Sequence, residues 1–249
     1  MTDYTREWKN IKWGDMIKFS PAPRHRRNII CRKIKNWMCD KTSLHDVGCG
    51  NAWLLHQIQR EFPHLQISGS DAAKSIIEYN RRSMPGIDFH HQDISLPLSA
   101  SERYDIIVCS EVLEHIKNYR FAVSNLHRLL NKNGIVIITV PRGRIYPIDK
   151  FVGHIQHFDN ARSFTLDGFE LLEEEYWGFP FFTIYKWAIN LRPKQMNTAF
   201  CESNYGFFKK CLSGLVYLLF FFNIPNQGSQ MIVIMRKKAN SSIDQEPSL

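Results

Sequence analysis

Three aspartates and one glycine-rich turn carry the first chemical signal. Residues 44 to 55 read LHDVGCGNAWLL: an apolar strand-like lead-in with Asp46, then Gly48 and Gly50, then a helix-like run. Glycine lets the chain reverse tightly from strand to helix and lets a ligand approach the backbone, while the amides at a helix start favour an anionic group. A nicotinamide site would use G-x-G-x-x-G and a phosphate loop would need Lys followed by Ser or Thr. Here Gly50 is followed by Asn51, Ala52 and Trp53, with no lysine. Asp71 ends the stretch ISGSD, 21 residues beyond Gly50, where an acid accepts hydrogen bonds from both hydroxyls of a ribose. Asp93, in HHQDI, closes the next strand-like run, where its carboxylate can accept an adenine amine while Ile94 packs on the ring. Three carboxylates around one pocket suit a ligand bearing cationic groups and free hydroxyls, and would repel a pyrophosphate.

A second cluster lies further along. The stretch SEVLEH places Glu111, Glu114 and His115 after another apolar run, and GHIQHF brings His154 and His157 after the next. An imidazole there, with an intrinsic pKa near neutrality, is a candidate general base. Two carboxylates and one or two imidazoles can equally hold Mg²⁺ or another divalent ion, and His115 can also be a purely structural residue. In PRGRIYP, Arg142, Arg144 and Tyr146 either grip an acidic or phenolic acceptor or anchor a long loop.

The elements that must position these groups alternate. SLHDVG, QISGSD, IDFHHQD, YDIIVCS and GIVIITVP read as strands, and NAWLLHQIQREF, AAKSIIEYNRR and NYRFAVSNLHRLL read as amphipathic helices, the last closed by Asn133 and Gly134 as its C-cap. That order predicts an α/β fold with a parallel sheet covered by helices on both faces.

The set DVGCGNA, GSD, QDI and YDIIVCSEVLEHI, in this order and spacing, resembles the class I S-adenosylmethionine-dependent methyltransferases, over roughly residues 40 to 160. Within that group it is most similar to small-molecule O-methyltransferases of the ubiquinone-biosynthesis type. The resemblance implies a Rossmann-like seven-stranded sheet whose last strand, QMIVIMRKK, is antiparallel and inserted beside the fifth. It implies S-adenosylmethionine as cofactor, with Asp46, Gly48 and Gly50 at its methionine end, Asp71 and Ala72 at the ribose, Asp93 and Ile94 at the adenine, and Ser110 on the sulfonium side. The usual third glycine is Ala52 here. His115 and His154 are the expected catalytic residues. The same letters also resemble the metal motif of small-RNA terminal 2′-O-methyltransferases; VLEH is widespread among relatives that use no metal, so a metal is not the favoured reading.

Composition bounds the rest. The 249 residues, 44% hydrophobic, can bury a sizeable core and exclude disorder and collagen-like repetition. The first residues lack a secretory apolar stretch and six cysteines show no CxxC pairing, so the expectation is a reduced, cytoplasmic chain without disulfides or a zinc site. Charge divides it: residues 1–42 carry 11 Lys/Arg against 4 Asp/Glu, and residues 43–116 carry 5 against 10. The sequence therefore divides into a basic helical appendage (1–42), a cofactor-binding core (43–160), a C-terminal part with an apolar helical insertion (161–238) and a polar tail expected to be disordered (239–249). The helix RHRRNIICRKIKNW either meets an anionic partner or is a solvated face with Ile29, Ile30, Ile34 and Trp37 turned inward. From Tyr176 to Phe222 aromatics accumulate, and the run Leu212 to Phe222 is too short to span a bilayer. A lid over the acceptor pocket, an interfacial helix on the inner face of a membrane with Lys209 and Lys210 at the headgroups, and a homodimer surface all stay open. An apolar lid implies an apolar or lipid-like small-molecule acceptor, methylated on oxygen. RNA 2′-O-methylation and small-molecule N-methylation are the alternatives; with no separate RNA-binding module, a nucleic-acid partner is disfavoured.

Overall fold

The computed structural model describes residues 13–98, 102–165, 168–201 and 204–239. The polar tail expected to be disordered lies, but for its first residue, outside the described residues, as do the first twelve residues. Helices α1 (Trp13–Phe19) and α2 (Pro21–Trp37) precede β1 (Ser43–Val47), α3 (Trp53–Glu61), β2 (Gln66–Asp71), α4 (Lys74–Ser83), β3 (Asp88–His91) and β4 (Tyr104–Ser110). After a 3₁₀ turn at Leu113–His115 come α5 (Tyr119–Leu129), β5 (Leu130–Pro141), α6 (Pro147–Phe151), β6 (Phe169–Trp177), α7 (Phe181–Asn190), α8 (Pro193–Cys201), α9 (Phe207–Leu219) and β7 (Gln230–Lys237).

The seven strands form one sheet in the order β3-β2-β1-β4-β5-β7-β6. β1 pairs in parallel with β2 and β4, and β4 with β5, whereas β7 runs antiparallel between β5 and β6, as the sequence resemblance implies. Strand alternation explains how both faces are filled. Ile106, Val108, Ile135, Ile137, Ile232 and Ile234 point to a layer shared with Ile29, Ile30 and Ile34 of α2, Leu55 and Ile58 of α3 and Ile77 of α4. Their neighbours Ile107, Cys109, Val136, Ile138, Val233 and Met235 point the other way, onto Ala122, Val123, Leu126 and Leu129 of α5. Burying each such branched side chain stabilises the fold by about 1.5–3 kcal/mol.

The basic helix α2 is thus part of the sheet's cover, and several of its charges are met within the protein. Lys33 pairs with Glu173 and Glu175 of β6, Arg32 lies 3.7 Å from Glu175, and Arg27 donates to the Ile17 carbonyl.

One expectation fails. Asn133 and Gly134 do not cap α5, which ends at Leu129 with the Leu130 amide donating to the His127 carbonyl. They lie inside β5, where register jumps from Tyr104↔Leu130 to Ile106↔Ile135 and Asn133 takes φ +60°. An Asn-Gly pair supplies positive φ to a bulged strand as readily as to a helix end.

Candidate functional site

The carboxyl ends of β1 to β5 line up, and the expected residues collect there. Gly48 has φ +73°, and a Cβ on it would fall 2.3 Å from Val112 Cγ2, so any side chain would meet the chain leaving β4. The Gly48 and Cys49 amides donate to the Ser70 carbonyl, which ties the turn to β2. Gly50 then donates its amide to Asp71 Oδ2 at 3.0 Å, while Asp71 Oδ1 accepts from the Ala73 amide at 2.8 Å. Asp71 is therefore aimed by the turn itself, with lone pairs left on both oxygens. Ala52 takes φ +57° as the residue before α3, a left-handed conformation that costs a residue bearing a Cβ about 1–2 kcal/mol.

Burial sets the electrostatics of this half. Desolvation, reinforced by the charge of Asp71, pushes the Asp46 carboxyl up to about 8. Desolvation also raises Asp71, against the amides of Ala73 and Gly50 and with the charge of Asp93 adding to it. Such carboxyls gain from an arriving cation or hydroxyl donor, which restores what burial removed. Asp93 Oδ1 accepts from the Ser95 amide and hydroxyl at 2.8 and 2.7 Å, and Ile94 beside it is buried. Ala72 is exposed and its carbonyl accepts from His91 Nε2. Ser110, at the end of β4, shares a 2.8 Å hydrogen bond with Thr139 of β5.

The second half assembles beside β4 and β5, and it brings His115 and His154 together, their rings 4.9 Å apart and nearly perpendicular. His115 Nδ1 lies 3.1 Å from the Gly153 carbonyl; a carbonyl only accepts, so Nδ1 carries the proton and Nε2 the lone pair. Desolvation lowers the His115 pKa against that hydrogen bond, which keeps the ring neutral near pH 7. His157 Nδ1 donates to the Gly143 carbonyl, its Nε2 accepts from His154 Nδ1 at 3.0 Å, and His154 Nε2 is left facing Glu114 Oε1 at 3.9 Å. Burial, with the nearby His115 and His157, pushes His154 down to about 2.

Glu114 is the odd member. It is fully buried, neither carboxylate oxygen has a hydrogen-bond partner, and desolvation with the neighbouring Glu111 holds its pKa well above the usual carboxylate range. Glu111, at φ +56°, is held by Arg26 of α2 at 2.8 Å. Ligand atoms of Glu114, His115 and His154 lie within 4.8 Å of one another, as do those of Asp149, His154 and His157. The second trio is internally satisfied, because Asp149 accepts from Lys186 at 3.1 Å and from the Tyr146 amide. The first trio is the one with open carboxylate valences.

Arg142 serves the framework, donating to the Asp159 carbonyl and lying over the Tyr176 ring. Sequence reasoning missed Arg26, Asp149 and Lys186 as neighbours of the cleft. They arrive from α2, α6 and α7, so no spacing announces them.

Comparison with known proteins bears on the family and the fold. A family described as "Methyltransferase domain" matches residues 22–183. The malonyl-[acyl-carrier protein] O-methyltransferase of Bacillus cereus is 28% identical over 96 residues, which cover 38% of this chain and 35% of that protein. The ubiquinone biosynthesis O-methyltransferase of Rickettsia prowazekii is 30% identical over 137 residues, covering 53% and 52%. The chain thus spans about half the length, or less, of these curated relatives. The solved structure of the N-methyltransferase NodS from Bradyrhizobium japonicum, in complex with S-adenosyl-L-homocysteine, superposes with a TM-score of 0.59 at 15% identity, covering 93% of this chain and 95% of that one.

Proposed function

From the premise that this chain belongs to the methyltransferase domain family, we propose that it transfers the methyl group of S-adenosylmethionine to an oxygen of an apolar or lipid-like small molecule. The observation that carries the donor assignment is the Gly50 to Asp71 hydrogen bond across 21 residues, which fixes a carboxylate at the end of β2 beside the open turn. The three acids fit the donor: Asp46 would lie under its cationic amino-acid end, Asp71 would accept from the ribose hydroxyls, and Asp93 would accept from the adenine amine, with Ile94 against the ring. Malonyl and ubiquinone-type relatives are named as O-methyltransferases, which supports oxygen as the acceptor atom.

S-Adenosylmethionine, when bound, supplies a methyl carbon on a positively charged sulfur that an acceptor lone pair can displace. His115 takes the acceptor's proton on Nε2, because its Nδ1 proton is committed to Gly153. Ser110 and the Gly48 turn would border the sulfur of a bound donor, and positioning of donor and acceptor contributes the larger share of the rate. His154 stands against His115, and with burial pushing it down to about 2 it stays neutral and orients the ring of His115 rather than taking the proton.

A second reading is supported by the two unpartnered oxygens of Glu114: a divalent ion held by Glu114, His115 and His154, which would bind and acidify an acceptor hydroxyl. Exhaustive chelation distinguishes the two. Unchanged turnover removes the ion, and loss restored by Mg²⁺ or Mn²⁺ removes the metal-free base.

The proposal is tested by calorimetry with S-adenosylhomocysteine, and by donor consumption across phenols, sugars, lipid-linked intermediates and RNA ends, with product mass reporting the acceptor. Absence of S-adenosylhomocysteine binding overturns the donor assignment. Methylation confined to RNA ends or amines overturns the acceptor assignment.

A further inference from the structure

The insertion between β6 and β7 is apolar on both sides: Phe182, Val216 and Phe220 pack onto the core, and a second apolar set faces solvent. On α9, the face turned to the protein carries Ser213, which is buried, and Tyr217, whose hydroxyl accepts from Asn28 of α2. The face turned to solvent carries Phe208, Leu212, Leu215 and Leu219, at helical spacings of four, three and four, and the stripe continues into the following 3₁₀ turn with Phe222. Phe207 is 85% exposed, Phe208 82% and Phe222 71%. Phe179 and Ile224, joined by a hydrogen bond from the Ile224 amide to the Phe179 carbonyl, extend the exposed apolar surface past the end of α9. A helix that only covered the core would place these groups inward. Water contact along such a stripe is expensive unless a partner removes it.

We propose that this stripe seats the protein on the surface of an anionic lipid bilayer. Charge selects that occupant: from Gly178 to Gly228 the sequence holds Glu202 as its one acid, against Arg192, Lys194, Lys209 and Lys210, besides Lys186, which is buried against Asp149. Lys210 is exposed in the first turn of α9, and Arg192 and Lys194 are exposed at the α7 to α8 connection. Apolar groups that enter the acyl boundary, with cations at their edge, are the pattern of a helix lying in the bilayer interface. A second copy of the chain would bring the same cations against one another across a two-fold contact, with Glu202 as the insertion's one acid to offset them, which disfavours it. The contact is peripheral: α9 has 13 residues, about 20 Å of helix against a hydrocarbon core of about 30 Å, and no helix among the described residues is long and apolar enough to cross a membrane.

The test is flotation of the full chain with vesicles of phosphatidylcholine alone and of phosphatidylcholine with 30–40% phosphatidylglycerol (about that fraction, to give a surface potential). The expected result is flotation with the anionic vesicles, several-fold weaker with the neutral ones. The variant F208S/L215S/F222S, altered only at exposed positions, should lose flotation at least about ten-fold while its thermal unfolding is unchanged. The single variant Lys210→Glu should weaken flotation on anionic vesicles and leave it unchanged on neutral ones. A chain that stays at the bottom of the gradient with anionic vesicles overturns the proposal, as does equal flotation of the triple variant. A wild-type dimer that the triple variant converts to monomer, without flotation of either, assigns the stripe to a second copy instead. None of these readouts uses catalysis, so they stand or fall separately from the methyl-transfer reading.

Discussion

Replacing Arg26 by Met tests whether the cleft is held by a charge on a helix that precedes the sheet. Arg26 Nη2 and Glu111 Oε2 lie 2.8 Å apart with side chains 15% and 19% exposed. At an effective dielectric constant of about 20, that separation corresponds to a gross attraction of about 6 kcal/mol. Much of it is offset by the desolvation of both ions, so the pair adds little net stability, but removing one partner leaves an uncompensated buried carboxylate and costs about 3–5 kcal/mol. The sign of the pH dependence follows from Glu111. Burial raises its folded-state pKa above the ordinary 4.5, and Arg26 is the main influence holding it down. A carboxyl with a raised folded pKa binds more protons folded than unfolded, so its penalty is absent below the unfolded pKa and complete above the folded one. Arg26→Met raises the folded pKa further. The variant should therefore be destabilised by about 3 kcal/mol relative to wild type at pH 8, with the difference shrinking as pH falls toward 4.5. The double variant R26M/E111Q, which carries no buried charge there, should recover most of the loss at pH 8. Urea unfolding followed by circular dichroism from pH 4.5 to 8 measures this. Equal stability of the single and double variants at pH 8, or a loss independent of pH, would refute the reasoning.

Three further outcomes are expected. Asp71→Ala should weaken S-adenosylhomocysteine binding at least about 100-fold by calorimetry, since two hydrogen bonds to a charged acceptor are worth about 1.5–3 kcal/mol each, and unchanged affinity would remove the donor site. His115→Ala should lower kcat by about 10²–10⁴ with S-adenosylhomocysteine affinity retained; because burial lowers the pKa of this base, the acid limb of kcat/KM should have its midpoint below 6.5, and a midpoint above it speaks against His115. Gly48→Ala should cost about 1–2 kcal/mol for the left-handed backbone and about 1–3 more for its clash with Val112, so pairing it with Val112→Ala should recover the second part alone, as read by denaturant midpoints.

The two halves of the cleft differ in how plainly the sequence announces them, and the reason is physical. The half proposed for the donor is local: a strand end, two glycines and the next strand's acid lie within 26 residues of one another, and backbone geometry constrains which residue types fit. The half proposed for the acceptor is made by packing. His115 and His154 are visible as chemistry, but the Gly153 carbonyl that sets the tautomer of His115, and the Asp149 to Lys186 pair beside His157, depend on a long loop folding back over β4. β6 escaped individual recognition for a related reason. FELLEEEYW carries three consecutive glutamates, poor strand formers, and their place is set by partners elsewhere: Glu173 and Glu175 face Lys33, and Glu174 faces the Ala161 amide. The Asn133 to Gly134 pair misled because positive φ is a local requirement shared by two unrelated structures.

Two consecutive residues of α2 tie the outer surface to the chemistry. Arg26 reaches into the cleft to Glu111, while His25 is packed among the rings of Trp177, Phe220 and Phe221, at 5.0, 5.8 and 5.3 Å. Burial pushes His25 down to about 4, so it sits there as a neutral aromatic ring, and Asn28 one turn on bonds Tyr217 of α9. The inner face of the insertion thus packs on α2 and on Trp177 of β6, and α2 in turn holds a buried carboxylate at the end of β4. Any force that shifts α9 along the sheet must either break the aromatic cage around His25 or carry Arg26 with it. The first costs packing worth about 0.5–1.5 kcal/mol per ring pair beyond burial, and the second strands Glu111 in a low-dielectric site, which costs more. The inner side of the aromatic insertion is therefore tied to the cleft through α2, while its outward stripe faces solvent.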